Sequence, residues 1–332
     1  MNELWGAPSA GAFLGIDVEA AGTKLRVKKI YRGDGLRDDE KSPLAAPGIG
    51  MKDGDYLLAV AGNTLTNKSN YLEHLTDRAG QTVSVTFSSS ADGSNPKTVF
   101  VKPIGSESRI RRLEWVEQNR RYVEKASGGK VGYLYLGAMV DQDVSDFIKQ
   151  FYPQRNKEAL LIDTRFNNGG NVQNLINRIL SEPLTGFFNM RASASSWSRQ
   201  GDYFLGPMAV VQNEFNVSCG EEFPHRFRDL KLGAVIGRRT YGGEVGSAPG
   251  WPLADGGVVS VPNYGMWTPD GKWVIEGPGV DPDIDVESDP NAFAQGKDPQ
   301  LDKSVEWLLD QLKKNPVKRP VQPADPVRIK KP

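Results

Sequence analysis

Residues Leu160 to Gly170 read LLIDTRFNNGG, an apolar run that passes directly into a turn rich in asparagine and glycine. Together with the preceding alanine, the run ALLIDT is apolar enough to be a central strand buried on both faces of a parallel sheet. The two glycines lie where this strand should give way to a helix that begins near Val172. Glycines at such a junction let the backbone approach a bound molecule and turn its N–H groups outward, although a plain tight turn fits the same pattern.

The flanking sequence alternates strand-like and helical runs. In order from Gly128 these are VGYLYL, VSDFIKQFY, ALLIDTRF, VQNLINRIL, MAVVQNEF, FPHRFRDL and AVIGRR. Such alternation is typical of βαβ units around a mostly parallel sheet and predicts an α/β domain. A last helix is expected in PQLDKSVEWLLDQLKK, so that the domain covers residues 128–315, and residues 316–332 are expected to form a disordered tail.

The sequence before Gly128 has a different pattern. Residues 13–104 contain short β-type runs separated by turn residues, namely AFLGIDVE, KLRVKKIYR, DYLLAVAGN, TVSVTFSS and TVFVKP. They predict a small β-rich domain. Residues 105–127 are largely charged with one apolar face and predict a connecting helix. Residues 1–12 lack helical or strand periodicity and are expected to be a linker.

Composition narrows the classes of function. Lys and Arg together equal Asp and Glu at 41 each, so no broad attraction to nucleic acid or anionic membrane is encoded. The single cysteine, Cys219, excludes an internal disulfide and any cysteine-based metal cluster. No ligand spacing suggests a metal or other cofactor, and neither a signal peptide nor a membrane span is predicted. Small ligands or proteins are the favoured partners.

A candidate nucleophile lies in the segment Val210 to Arg226, VVQNEFNVSCGEEFPHR. An apolar strand ends there, and a turn of small residues presents Ser218 just before a helix. A serine at this position has the positive end of the helix dipole beside it, with amides nearby that could stabilise an oxyanion. The same position is a standard helix N-cap, and without further information that interpretation is favoured.

The stretch Pro47 to Leu65, PGIGMKDGDYLLAVAGNTL, resembles the most recognisable part of a PDZ domain. In that family an extended peptide adds to a strand edge, and a glycine-containing loop captures its terminal carboxylate. The best match to this loop is Phe13, Leu14, Gly15 and Ile16; these residues equally fit a core strand with a turn. His74 could contact such a ligand, but an ordinary half-buried histidine is favoured.

Three later segments together resemble the catalytic region of tricorn-type serine peptidases, relatives of the C-terminal processing or tail-specific peptidases. The resemblance implies a βαβ core of the ClpP/crotonase type and an acyl-enzyme formed at Ser218. It places the oxyanion-hole amides on Gly169 or Gly170 and on Cys219, whose thiol is not favoured as a nucleophile because no base adjoins it. In IEGPGVDPDID it makes Glu276 the acidic member of the catalytic relay. Four residues of LGAVIGRRTYGGEVGS resemble a loop that packs beside the nucleophile: Arg239, Thr240, Gly242 and Gly243.

The catalytic set has no credible base. A serine nucleophile needs a base within about 3 Å, and the chain has two histidines. His225 would lie roughly two helical turns from Ser218, and His74 belongs to the other domain. Lys231, the nearest lysine after the nucleophile, has no helical register that returns it to Ser218. In the family the catalytic histidine precedes the PDZ domain.

Three interpretations therefore stay open. The chain is the C-terminal part of a longer peptidase, a non-catalytic peptide-binding protein, or an enzyme completed by a partner subunit. The first is favoured because the serine, the acid and the glycine turn all persist. The family also implies a homo-oligomer acting on peptides or unfolded polypeptides, and it favours the cytoplasm, although the sequence leaves the compartment undetermined.

Substrate preference is predicted from Gly186 to Arg191, GFFNMR. The family archetype uses an acidic residue in this region to attract basic side chains, and no acid occurs here. We therefore expect an S1 pocket shaped by Phe187, Phe188 or Asn189 that prefers neutral or apolar P1 residues.

Overall fold

The computed structural model describes residues 11–33, 40–190, 196–247 and 250–324. The chain divides between Gln118 and Asn119 into two compact units. This division falls inside the helix α1 (Ser108–Ala126), which corresponds to the connecting helix predicted for residues 105–127.

The first unit is built on an antiparallel sheet. Its strands are β1 (Ile16–Ala21), β2 (Lys24–Ile30), β3 (Tyr56–Val60), β4 (Asn63–Thr64), β5 (Val83–Ser88) and β6 (Lys97–Val101). They lie in the order β1-β2-β3-β5-β6 with β4 paired to β3, so β1 is an edge strand. The predicted β-rich domain is confirmed. Its core includes Ala12, which the sequence had assigned to the linker and which is 1% exposed.

Two short 3₁₀ helices complete this unit. They are Pro43–Ala45 and Tyr71–Leu75. The second contains His74. Asn70 caps it by accepting the N–H of Leu72 at 3.2 Å, which explains where the turn begins.

The second unit is α/β, as predicted. Its parallel sheet contains β7 (Val131–Tyr135), β8 (Ala159–Asp163), β11 (Met208–Gln212), β12 (Gly233–Gly237) and β17 (Ile284–Asp285). The strand order is β17-β12-β11-β8-β7, and every pairing is parallel. All five residues of β8 are buried, which is why ALLID reads as a continuous apolar run.

Helices cover this sheet. They are α2 (Asp141–Gln154), α3 (Gln173–Ser181), α4 (Cys219–Asp229), α5 (Pro290–Ala294) and α6 (Pro299–Lys314). Side chains of α2, α3 and α4 share one core with alternate residues of the strands, and α6 packs against β8 and β11. No helix among the described residues is long and apolar enough to cross a membrane. Residues 316–324 of the predicted tail form no helix or strand, and the rest of it lies outside the described residues.

The second unit also contains short antiparallel strand pairs. The sequence did not predict them. They consist of β9 (Phe187–Asn189) with β10 (Ser196–Ser198), β13 (Gly246–Ser247) with β16 (Pro262–Tyr264), and β14 (Trp251–Pro252) with β15 (Val258–Val259). Their strands have two or three residues each, too few for a periodic pattern to be visible in the sequence.

A buried ion cluster lies at the end of β8. The guanidinium of Arg165 is 1% exposed and donates to Asp163 at 2.7 Å and to Asp298 at 2.8 Å. Tyr133 donates its hydroxyl to the same Asp163 carboxylate at 2.8 Å. Asp298 also caps α6 by accepting the N–H of Leu301. Arg165 therefore ties the sheet to the start of α6.

Replacing this guanidinium should destabilise the second unit strongly. Arg165→Met leaves the Asp163 carboxylate buried without its counter-charge, so we expect a loss of about 3–5 kcal/mol in the free energy of unfolding. Urea unfolding followed by circular dichroism measures it. The control Arg120→Met removes an exposed i,i+4 partner of Glu124 and should cost below about 1 kcal/mol. Equal losses in the two variants would contradict the role assigned to Arg165.

Candidate active site

Ser218 lies at a sharp turn between β11 and α4. It is the N-cap residue of α4, as predicted, but its backbone has φ 55° and ψ −134°, whereas an ordinary N-cap residue is extended. Few non-glycine residues adopt such a conformation, and those that do are held by their surroundings. The side chain is half-buried and not enclosed in the core. The turn thus has the strained strand-to-helix geometry of a nucleophile elbow.

The carboxylate of Glu221 holds this turn in place. Glu221 is fully buried and accepts the backbone N–H of Ser218 at 3.2 Å. The same carboxylate accepts the N–H groups of Gly242 at 2.7 Å and Gly243 at 2.8 Å, and it also bonds to the hydroxyl of Thr240. In return the carbonyl of Gly243 accepts the N–H of Ser218 at 2.9 Å. The loop predicted to pack beside the nucleophile is therefore bonded to it directly.

Buried asparagines shape the other side of the turn. Asn216 donates to the hydroxyl of Thr164 at 3.0 Å and to the carbonyl of Gly220 at 3.1 Å. The carbonyl of Asn167 accepts the N–H of Val217 at 2.9 Å. A Cβ at Gly220 would lie 2.6 Å from Asn167 Oδ1, so only glycine fits there. The sequence carries no distinct signal for these residues, because asparagine near a strand end is common in ordinary turns.

The glycine turn predicted from the sequence lies against Ser218. A Cβ on Gly169 would be 2.7 Å from the Cβ of Ser218 and 3.1 Å from its Oγ, and Gly169 has φ +86°. The Gly169 N–H donates to Asn167 Oδ1 at 2.9 Å. Among the described residues, the N–H groups of Gly170 and Cys219 make no hydrogen bond. Of the two glycine amides proposed for an oxyanion hole, only that of Gly170 is available.

The thiol of Cys219 is unsuited to act as a nucleophile. It is buried, and burial together with the nearby carboxylate of Glu222 raises its pKa to about 12. A thiol with this pKa stays protonated at neutral pH, whereas attack requires the thiolate. The structure thus agrees with a role for Cys219 through its backbone alone.

Two carboxyl groups meet beside the nucleophile turn. The buried side chain of Glu244 contacts Glu222, which also accepts the side-chain N–H of Gln173 at 2.7 Å. Burial, and then the neighbouring Glu222, raise the pKa of Glu244 to about 9. Glu244 is therefore protonated at neutral pH. No sequence signal marked this pair.

Glu276 is exposed and anchors the same loop from outside. Its Oε2 accepts the N–H of Glu244 at 2.7 Å and that of Val245 at 2.8 Å. The N–H of Gly277 donates to the carbonyl of Gly242 at 2.9 Å. Glu276 is thus connected to Ser218 only through the loop that contains Gly243 and Glu244. Its Oε1 makes no hydrogen bond within the described part of the chain.

His225 does not supply a base to Ser218. His225 Nδ1 lies 3.3 Å from Asp229 Oδ2 on the same helix. Lys231 follows the far end of α4, roughly 16 Å along the helix from Ser218. Across residues 11–33, 40–190, 196–247 and 250–324, no group of three His, Cys, Asp or Glu side chains is arranged to hold a metal ion.

The residues predicted for an S1 pocket form an exposed strand. Phe187, Phe188 and Asn189 all face solvent on β9, and the ring of Phe188 lies 5.9 Å from that of Trp197 on β10. No hydrogen bond or ring contact joins them to Ser218 within the described ranges. Their role in substrate selection stays a prediction.

The loop predicted to bind peptides in the first unit is already engaged. Phe13 exchanges two backbone hydrogen bonds with Ile104, at 2.8 and 2.9 Å. Leu14 and Gly15 are buried, and the N–H of Gly15 donates to a carboxylate oxygen of Glu107 at 2.7 Å. Ile16 begins β1. In this conformation the loop therefore contacts a carboxylate from its own chain.

The antiparallel first unit and the nucleophile elbow on a parallel sheet define a PDZ domain followed by a serine-peptidase domain. Residues 12–106 match the sequence model of the tricorn protease PDZ domain, and residues 130–286 match that of peptidase family S41. The chain therefore contains a PDZ domain of the tricorn type and a domain of peptidase family S41. The predicted resemblance is thereby confirmed.

Individual relatives agree. The chain is 32% identical over 306 residues to the tricorn protease of Thermoplasma acidophilum, covering 92% of this chain and 28% of that protein. It is 33% identical over 295 residues to tricorn protease homolog 1 of Streptomyces coelicolor, covering 89% and 28%. The crystal structure of the tricorn protease superposes with a TM-score of 0.83 at 31% identity, over 91% of this chain and 29% of that one. The chain thus spans less than a third of the length of these relatives.

The proton held by Glu244 should make stability depend on pH. An acid whose pKa is about 9 in the folded chain and about 4.3 in the unfolded chain binds more protons when folded, so its contribution falls as pH rises between these values. Glu244→Gln cannot titrate and should not lose this contribution. We expect the difference in melting temperature between Glu244→Gln and the unmodified chain to grow in favour of the variant by on the order of 10 °C from about pH 5 to about pH 8.5.

Thermal unfolding between about pH 5 and pH 9 tests this expectation. Glu306→Gln, at an exposed position on α6, is the control and should leave the pH dependence unchanged. If Glu244→Gln follows the same curve as the unmodified chain, Glu244 does not hold the proton.

Proposed function

We propose that this chain carries the nucleophile of a serine peptidase that cleaves peptides through an acyl-enzyme at Ser218. One observation carries the proposal: a half-buried serine at a strained elbow, with the unpaired amides of Gly170 and Cys219 beside it. A structural N-cap does not require this backbone geometry. The homologues are proteases, which supports the same conclusion.

The chemistry follows from these groups. Ser218 Oγ bonds to the substrate carbonyl carbon while its proton passes to a base. The resulting oxyanion accepts hydrogen bonds from the N–H groups of Gly170 and Cys219. The C–N bond then breaks, the base returns the proton to the leaving amine, and water releases the acyl group by the same steps in reverse.

The base is the missing part. His225 is paired with Asp229. We infer that a histidine from a segment upstream of this sequence, or from a partner subunit, completes the site. Glu276 would orient it through Oε1, since Oε2 is bonded to the loop at residues 244–245. Peptides or unfolded polypeptides are the proposed substrates and a homo-oligomer the proposed assembly.

The second candidate is a non-catalytic peptide-binding protein. The engagement of His225 elsewhere favours it, because no base contacts Ser218 within the described residues. The two candidates differ in whether Ser218 can be activated at all.

Labelling with a fluorophosphonate distinguishes them. We expect Ser218 to be labelled when the upstream coding region is restored, and labelling of the isolated chain to be slower by a factor on the order of 100 to 10,000, the usual contribution of general-base catalysis. Ser218→Ala should abolish labelling and Cys219→Ala should preserve it, as read by mass spectrometry of the modified peptide. No labelling of either form would favour the binding protein.

The completed enzyme should prefer apolar or neutral P1 residues. Phe187, Phe188 and Asn189 carry no charge that could bind a basic side chain, so kcat/KM on a peptide library should be lowest for charged P1 residues. Phe188→Asp should raise kcat/KM for basic P1 residues, whereas Phe100→Asp, at an exposed site on β6, should not. A basic preference of the unmodified enzyme would contradict this assignment.

A further inference from the structure

The Phe13–Ile16 loop of the first unit has the form of an anion site. Gly15 has φ +67°, and its N–H donates to Glu107 Oε1 at 2.7 Å. The remaining contacts fix the loop around that amide: Leu14 O accepts the hydroxyl of Ser42 at 2.6 Å, and Gly15 O accepts the N–H of Tyr31 at 2.9 Å. The loop is therefore preformed with one amide directed at a carboxylate.

A guanidinium completes this site. Arg111 donates to the other oxygen of Glu107, at 2.8 Å from Nε and 2.6 Å from Nη2. It is held in place by Asp17 at 2.9 Å and by the hydroxyl of Tyr31 at 2.7 Å, with the Tyr31 ring beneath it. The carboxylate of Glu107 thus lies between a backbone amide and a fixed positive charge.

Glu107 occupies this site at a cost. Its side chain is 8% exposed, and this burial raises the pKa of Glu107 despite the attraction of Arg111. Burying a carboxylate is unfavourable unless its surroundings compensate the charge, so the amide and the guanidinium must supply that compensation. Any other carboxylate that reached the same two groups would receive the same stabilisation.

An extended peptide has a place to dock next to the loop. β1 begins at Ile16 directly after the loop and is an edge strand, so its outer side can pair with an added strand. A peptide paired there with its C-terminus toward the loop would direct its α-carboxylate to the Gly15 amide. The first turn of α1 now covers that position, since Ile110 Cδ1 lies 3.0 Å from where a Gly15 Cβ would be.

We infer that Glu107 is an internal ligand of the Phe13–Ile16 loop, filling the place of a peptide's terminal carboxylate. A free C-terminus therefore binds this unit only by displacing Glu107 from Gly15 and Arg111. The inference concerns the first unit alone and does not depend on catalysis at Ser218.

Fluorescence anisotropy on the full chain tests this displacement. The probes are fluorescein-labelled hexapeptides that end in Ala, Val, Leu or Phe with a free carboxylate, and the same peptides with an amidated C-terminus. We expect Glu107→Ala to tighten binding of at least one free-carboxylate peptide tenfold or more relative to the unmodified chain. The amidated peptides should show no gain, because they lack the charge that Arg111 would bind.

Three variants make the result specific. Adding Arg111→Met to Glu107→Ala should remove the gain, because the competing carboxylate loses its guanidinium. Glu114, which lies on α1, forms an ion pair with Lys29. Glu114→Ala removes that pair and should leave peptide binding unchanged. Glu107→Gln serves if Glu107→Ala fails to fold by circular dichroism, since it keeps an acceptor for Gly15 and loses only the charge; it should tighten binding at least threefold.

The inference is overturned by two results. One is equal affinity of the unmodified chain and a folded Glu107 variant for every free-carboxylate peptide. The other is no measurable binding by any folded Glu107 variant, which would make the Glu107 contact a structural one only.

Discussion

The second unit depends on one buried carboxylate. Glu221 accepts hydrogen bonds from Ser218, Thr240, Gly242 and Gly243, which belong to two loops that are separate in sequence. A buried carboxylate must have its acceptor positions satisfied, so both loops are forced to converge on it. The left-handed backbone of Ser218 is the strained product of that convergence. The energetic cost of this backbone conformation is offset by the hydrogen bonds to Glu221, which form only when both loops are in place.

Neighbouring polar side chains likewise satisfy buried acceptors and charges. Asn216 donates to the carbonyl of Gly220 and Asn167 to the carbonyl of Leu136. Arg165 compensates the charge of Asp163 where β8 ends. These groups lie at the carboxyl ends of parallel strands, where an open α/β sheet places its ligand sites. The apolar core beneath is shared by α2, α3 and α4 and gives this polar layer a rigid base.

Local patterns in the sequence predicted most of the helices and strands and the turn at Ser218, but not the contacts that hold them; the proposal of Ser218 as a nucleophile came from the family resemblance. All five residues of β8 are buried, so its sequence ALLID is apolar enough to predict a buried strand. The turn at Ser218 was recognisable as a run of small residues just before a helix. The role of Glu244 could not be predicted, because that residue alone looks like a surface acid. Glu221 lies three residues after Ser218, but its other partners, Thr240, Gly242 and Gly243, come from a separate segment that the local pattern does not reveal. Gly15 was recognised as a turn glycine, yet the carboxylate it binds lies 92 positions away.

Phe13 and Ile104 lie side by side, joined by a pair of backbone hydrogen bonds, at the two ends of the segment that contains all strands of the antiparallel sheet. A segment whose ends adjoin can be inserted into a host sequence, or excised from one, with little stretching of the residues on either side. The segment from Phe13 to Ile104 has the geometry of a cassette that recombination can move between proteins as one piece.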